Sequence, residues 1–220
     1  DAPPHPAGIP MATGNPPDET RAFLGNDPDN STLTWQTLPE RLRRQQFVDI
    51  DPQLVIDGYR RLYPGYTPSE VFFAATTAGR SWRGAVEELE ARARQGRNTW
   101  AYQLDWHPRG EEGDRLRAFH TLDIPLVFGN VAHPDARTGD DPEAQRVAAT
   151  MRDALLAFAR HGDPRSGATA GWSPYSLARR ETMVYADPAR MEDDPRGGER
   201  TLYQQAPFVQ PGPHRTTCAI

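Results

Sequence analysis

Several common sequence features are missing from this chain of 220 residues. Cys218 is the only cysteine, which excludes an intrachain disulfide and a metal site built on several cysteines. No apolar run approaches the ~20 residues that cross a bilayer, so no membrane partner is expected. Lysine is absent, and 25 arginines stand against 30 acidic residues, giving a net charge of −5. That mild acidity gives no reason to expect a nucleic-acid partner.

Two further absences concern targeting and metals. Residues 1–6, DAPPHP, lack the basic start and the apolar stretch of a signal peptide, and they are typical of a loop inside a longer protein. They leave the cellular compartment undecided. The six histidines show no spacing typical of metal ligands, so no metal site is expected.

The apolar pattern predicts an α/β fold. Strand candidates lie at residues 9–14, at residues 100–106, where aromatic and polar residues alternate, and at residues 182–185. A helix is predicted from residue 141 to Gly162. Helices between well-separated strands favour a mostly parallel sheet covered on both faces. Two or three strands are too few for a complete sheet, so residues 1–220 are interpreted as one flank of a larger sheet.

Smaller expectations concern the rest of the chain. Residues 67–70 predict a capping box at the start of a helix that breaks near Gly79. The charged helix at residues 83–94 is expected to be an ordinary solvent-exposed one. The aromatic face of residues 100–106 is expected to lie in the core, and the chain after residue 187 to be mostly irregular.

The first segment with chemical meaning is residues 8–23, GIPMATGNPPDETRAF. It resembles the strand and turn of type-B carboxylesterases, in which a strand is followed by Gly, three variable residues, Asp-Glu and then a Phe. In that family the Glu orients the catalytic histidine, and the match points to Glu19. Pro16 and Pro17 stand where the family more often has Thr and Arg, which stiffens the turn without removing the carboxylate.

The second segment is residues 119–130, FHTLDIPLVFGN. It resembles the histidine loop of the same family, His-x-x-(Glu/Asp)-(Ile/Leu)-Pro-x-Val-Phe-Gly, nearly letter for letter. The resemblance makes His120 the general base and acid. Residues 63–77, 154–164, 172–175 and 182–185 resemble other family segments, so the likeness covers most of residues 8–188.

The resemblance implies the C-terminal part of an α/β-hydrolase fold that hydrolyses carboxylic esters through a Ser-His-Glu triad and an acyl-enzyme. It implies a small-molecule ester as substrate and no cofactor. These folds order the triad Ser, Asp/Glu, His along the chain, so the serine is expected upstream of Asp1. An N-terminal portion of the same enzyme, as a separate chain or as further sequence, is therefore the expected partner.

The nucleophile itself is not found in the sequence. None of the serines lies in Gly-x-Ser-x-Gly, the nearest approach being Ser81 after Gly79, and no His-Gly-Gly-Gly segment supplies oxyanion-hole amides. The chain alone is therefore expected to be inactive.

Alternatives remain open at three points. One alternative is that Glu19 is a solvated acidic residue in a turn, while Asp18 caps the helix that follows. Asp123 is interpreted as a cap or loop brace. Cholinesterase-like domains also serve as catalytically inactive binding or adhesion modules, and a replaced serine upstream would favour that function.

Overall fold

The computed structural model describes residues 8–208. In that range one four-stranded sheet has the order β1 (Met11–Asn15), β2 (Thr99–Leu104), β3 (Glu181–Tyr185) and β4 (Arg190–Asp193). β1 pairs with β2, and β2 with β3, in parallel, whereas β4 is antiparallel to β3. The mostly parallel sheet is thus confirmed. The opening hexapeptide and Cys218 lie outside the described residues.

Helices fill the two connections between the parallel strands, and one more follows β4. They are α1 (Arg21–Leu24), α2 (Leu38–Gln45), α3 (Pro52–Leu62), α4 (Pro68–Thr77), α5 (Arg83–Arg94), α6 (Glu111–Leu116), α7 (Asp123–Phe128), α8 (Pro142–His161) and α9 (Gly197–Tyr203). The capping box at Thr67 and Glu70 is confirmed, and Gly162 ends α8 in the left-handed conformation, as the sequence predicts.

The side chains of β2 divide the core between the two faces of the sheet. Trp100 and Leu104 point towards the core that α7 and α8 cover, while Ala101 packs against Leu89 of α5. This alternation is the period of two that the sequence shows. Helices therefore lie on both faces. A second apolar core holds α2, α3, α4 and α9 together around Tyr59 and Phe72.

Three expectations about local structure are wrong. The chain does not break at Gly79, because the π-helical turn Ala78–Trp82 joins α4 to α5 without interruption. Between residues 188 and 208 the chain is not mostly irregular, since β4 and α9 form there, and residues 209–220 lie outside the described residues. α5 is not an ordinary solvent-exposed helix, because Glu90 and Arg92 are buried. The Arg92 side chain donates to the Thr99 hydroxyl at 2.9 Å and to the Ile9 carbonyl at 2.7 Å.

Two properties of the described residues bear on possible partners. Among residues 8–208, no helix has both the length and the apolar character needed to cross a membrane. Over the same range, no cluster of three or more His, Cys, Asp or Glu side chains is arranged to hold a metal ion.

Candidate active site

Glu19 follows β1 on a tight turn at the carboxyl end of the strand. Gly14 allows β1 to lie close to β2, because a Cβ at this position would stand 2.1 Å from the Tyr102 carbonyl oxygen. The chain then turns through Pro16 and Pro17 into α1, and Glu19 is 7% exposed. Asp18 does not cap α1 with its side chain; its carboxylate accepts from Arg21 Nε at 2.8 Å.

His120 lies after the carboxyl end of the adjacent strand, β2. The loop that carries it is fixed by its apolar residues, since Phe119, Leu122 and Leu126 are buried in the core beneath α8. Thr121 adopts a φ of 74°, which turns the chain sharply into α7. Because β1 and β2 are parallel, their carboxyl ends meet at one edge of the sheet, and the two loops are neighbours.

The turn and the loop are joined by main-chain and side-chain bonds. The Asp18 amide donates to the Ala118 carbonyl at 3.1 Å, and the His120 amide donates to the Glu19 carbonyl at 3.4 Å. Between the side chains, His120 Nδ1 lies 2.5 Å from Glu19 Oε2. The structure therefore brings both predicted residues together, although 101 positions separate them in the chain.

The two side chains differ in exposure. The Glu19 side chain is 10% exposed, whereas that of His120 is 56% exposed. An ionised Glu19 accepts the hydrogen bond, so Nδ1 carries the proton and Nε2 is left as the acceptor nitrogen. The arrangement therefore orients one nitrogen of the ring and presents the opposite side of the ring to the surface.

Burial raises the pKa of Glu19 above its usual range. The hydrogen bond and charge of His120 oppose this shift without cancelling it, and the nearby charge of Asp123 adds to it. Asp123 itself begins α7 and accepts from the Tyr102 hydroxyl at 3.3 Å. This contact fits its interpretation as a brace of the loop.

Sequence reasoning missed a buried hydroxyl cluster behind the carboxylate. Thr20 is fully buried, and its hydroxyl lies 2.8 Å from that of Thr76 and 3.1 Å from that of Thr77. The Thr20 amide donates to the Thr77 hydroxyl at 3.2 Å. These bonds fix the residue after Glu19 to α4. No local pattern signals them, because the partners lie more than fifty positions apart.

No nucleophile accompanies the pair within residues 8–208. In that part of the chain no serine hydroxyl is hydrogen-bonded to His120; Ser81, the nearest match to an elbow, donates to the Thr77 carbonyl at 3.2 Å.

Comparison with known proteins extends these observations. The profile of the Carboxylesterase family matches residues 71–201, which include His120. This chain belongs to that family. Its fold matches a solved carboxylesterase of Geobacillus stearothermophilus with a TM-score of 0.74 and 30% identity, over 89% of this chain and 40% of that one. The α/β-hydrolase fold, in part, is thereby confirmed.

Two curated relatives are similar in sequence to this member of the carboxylesterase family. The para-nitrobenzyl esterase of Bacillus subtilis is 28% identical over 196 residues, covering 88% of this chain and 37% of that enzyme. The fumonisin B1 esterase of Sphingopyxis macrogoltabida is 28% identical over 186 residues, covering 80% of this chain and 32% of that enzyme. The chain thus spans about a third of the length of the curated relatives it matches.

Proposed function

We propose that this chain supplies the acid and the histidine of a Ser-His-Glu relay that hydrolyses carboxylic esters. The contact between His120 Nδ1 and Glu19 Oε2 carries the proposal, because it orients an otherwise exposed imidazole. Membership of the carboxylesterase family supports it. The serine and the oxyanion-hole amides come from an N-terminal portion of the enzyme, so this chain alone is inactive.

In this proposal each residue has a task. His120 Nε2 takes the proton of the serine hydroxyl as the oxygen attacks the ester carbonyl, and the same proton passes to the leaving alcohol. A water molecule, activated in the same way, then cleaves the acyl-enzyme to the free acid. Glu19 holds the ring in the required tautomer and stabilises the imidazolium that forms, without itself taking up the proton.

The open edge of the sheet supports the expected partner. Among the described strands, β1 pairs only with β2, so its second edge is available for another parallel strand. Parallel sheets are normally covered on both faces, yet every residue of β1 is only partly buried. We infer that the N-terminal portion of the same enzyme, as a separate chain or as contiguous sequence, completes the sheet here and brings the serine to His120. Residues 1–220 would then form the C-terminal segment of a single α/β-hydrolase domain.

The decisive experiment uses the protein that contains this chain together with its N-terminal portion. Turnover of 4-nitrophenyl esters is measured for wild type, His120→Ala, Glu19→Gln and a control, His161→Ala, at the exposed end of α8. His120→Ala is expected to lower kcat by several orders of magnitude and Glu19→Gln by about 10⁴-fold. Near-normal turnover in His120→Ala would refute the assignment.

Labelling with a fluorophosphonate separates the enzyme from its alternative. Intact mass after labelling reports both the reactive serine and the polypeptide that carries it. An adduct on the N-terminal portion supports the esterase. A catalytically inactive binding module of the same fold would form no adduct and would hydrolyse no ester.

A further inference from the structure

An exposed aromatic surface lies beside the imidazole of His120. The Phe23 ring stands edge-on to it, with ring centroids 6.0 Å apart and an angle of 79° between the planes. Phe23 is 44% exposed and Phe47, on the loop after α2, is 63% exposed. Large apolar rings are usually buried, so the exposed Phe23 ring against a candidate base indicates a surface built for contact.

A cation lies against both rings. The guanidinium carbon of Arg80 stands 3.9 Å from the Phe47 centroid and 5.9 Å from the Phe23 centroid. Arg80 Nη2 and Nε donate to the side-chain and main-chain oxygens of Gln45 at 2.6 and 3.2 Å. Arg80 is nevertheless exposed. We call the group formed by Phe23, Phe47 and Arg80 the Arg80 patch. The Phe23 ring separates the guanidinium of Arg80 from the imidazole of His120.

Irregular backbone holds the Arg80 patch in place. Arg80 lies in the π-helical turn between α4 and α5, and such turns occur often at functional sites. Gly79 permits the close approach, since a Cβ there would meet the Gln46 carbonyl oxygen at 2.0 Å. Phe47 adopts a φ of 56°, a conformation that a bulky residue rarely takes. The π-helical turn and the left-handed conformation of Phe47 are two departures from regular geometry at one place, and they favour a functional constraint over ordinary packing.

We propose that the Arg80 patch recognises a carboxylate on the substrate, so that the preferred esters carry a negative charge a few bonds from the scissile carbonyl. The inference rests on the proposed function and names its substrate class. Phe23 and Phe47 form the apolar wall for the chain between the two groups, and the guanidinium binds the carboxylate by charge-assisted hydrogen bonds.

The test compares two esters that differ only in charge. The 4-nitrophenyl monoester of adipic acid is measured against the same ester with a carboxamide in place of the distal carboxylate, using the enzyme complete with its N-terminal portion. Wild type is expected to prefer the anionic ester in kcat/KM. Arg80→Gln is expected to lower the ratio of the two kcat/KM values about tenfold, the effect of one charge-assisted hydrogen bond. Arg80→Lys should keep part of the preference.

Two controls isolate the role of the charge at the Arg80 patch. Arg179→Gln removes an exposed arginine before β3, at the opposite end of the parallel strands, and should leave the ratio unchanged. Added salt screens exposed charges. It should therefore lower the ratio of the two kcat/KM values in wild type and have little effect on the same ratio in Arg80→Gln.

The outcomes that overturn the inference are distinct from failure of the proposed function. An equal loss of turnover for both esters in Arg80→Gln would show that the Arg80 patch contacts the N-terminal portion instead of substrate. A wild-type preference for the neutral ester would also overturn the inference. Absence of turnover and of a fluorophosphonate adduct would refute the proposed function alone. In that case, binding of the adipic half-amide can still be measured by calorimetry. Binding to wild type that is lost in Arg80→Gln would support recognition of a carboxylate by the Arg80 patch. No binding to wild type would overturn the inference.

Discussion

The hydroxyl oxygens of Thr20 and Thr76 lie 2.8 Å apart in the protein interior. This contact ties the turn that presents Glu19 to α4, which otherwise belongs to a separate apolar core. Because Thr20 is the residue directly after Glu19, a shift of its backbone would move the carboxylate relative to His120. The hydroxyl cluster therefore links the helical core to the candidate active site.

Replacing Thr20 by Val should weaken the link between the hydroxyl cluster and the candidate active site. Val matches Thr in shape but leaves the hydroxyls of Thr76 and Thr77 with one partner fewer, so the free energy of unfolding should fall by about 1–3 kcal/mol. Urea denaturation measures the loss. Thr20→Ser keeps the hydroxyl and should recover most of the stability. Equal stability of Thr20→Val and wild type would contradict the role given to the cluster.

Glu19→Gln should change the pH dependence of stability. Burial raises the pKa of Glu19 from its usual 4.5, so the folded state holds this proton more tightly than the unfolded chain does. The contribution of Glu19 is therefore fully present below the unfolded value and declines as pH rises through the folded value. The unfolding free energy of Glu19→Gln minus that of wild type should therefore increase as pH rises above the usual value of 4.5.

Thermal or urea unfolding at several pH values measures this difference. Glu87→Gln, at an exposed position of α5, serves as the control. A difference that falls with rising pH for Glu19→Gln would show that its carboxylate is stabilised by the fold, contrary to the expected sign.

Gly14→Ala should disrupt the contact between β1 and β2. The added methyl group would lie 2.1 Å from the Tyr102 carbonyl oxygen, a backbone atom that cannot move without separating the strands. A loss of about 3 kcal/mol or more is expected, among the largest that single substitutions produce. Gly171→Ala is the matched control, since nothing lies within 4 Å of its added Cβ. Similar denaturation midpoints for the two variants would contradict this account.

Glu199→Ala should weaken the core between α3 and α9. Glu199 accepts from the Tyr59 and Tyr63 hydroxyls at 2.5 and 2.9 Å and forms two bonds to the buried Arg196. Burial tends to raise the pKa of Glu199, but Arg196 outweighs it and the pKa lies below its usual range. Removing the carboxylate leaves a buried cation unpaired, which costs about 3–5 kcal/mol.

Tyr59→Phe gives the comparison for that variant. It removes one bond and leaves Arg196 paired, so a loss of about 1.5 kcal/mol is expected in the same denaturation assay. A larger loss in Tyr59→Phe than in Glu199→Ala would contradict the importance given to the ion pair. Because the pKa of Glu199 is lowered, the stability that its carboxylate contributes should disappear as pH falls through the folded value.

Features encoded in short segments could be predicted from the sequence. The loop at residues 119–130 carries both the histidine and the apolar residues that fix it, so one segment specifies position and support together. The capping box of α4 and the left-handed end of α8 are equally local, and both were predictable. The pairing of Glu19 with His120 was expected from the family resemblance alone.

Features that depend on distant partners could not be predicted. The charges of α5 suggested a solvated helix, but Glu90 is paired with Arg180, ninety positions away. The Arg80 patch joins residues from three separate segments, and no spacing in the chain relates them. β4 is short and charged, so its strand character depends on pairing with β3 more than on its own sequence.

The two outer strands of the described sheet differ in chemistry. β4 carries Arg190, Glu192 and Asp193, and charges on an edge strand discourage pairing with other molecules. β1, with the sequence MATGN, has neither charge nor proline to protect the edge that pairs with no other strand among residues 8–208. We therefore expect this polypeptide, when produced by itself, to self-associate through β1 in a concentration-dependent manner. Thr13→Lys should reduce that association. It should also weaken assembly with the N-terminal portion, whose strand is proposed to pair with β1.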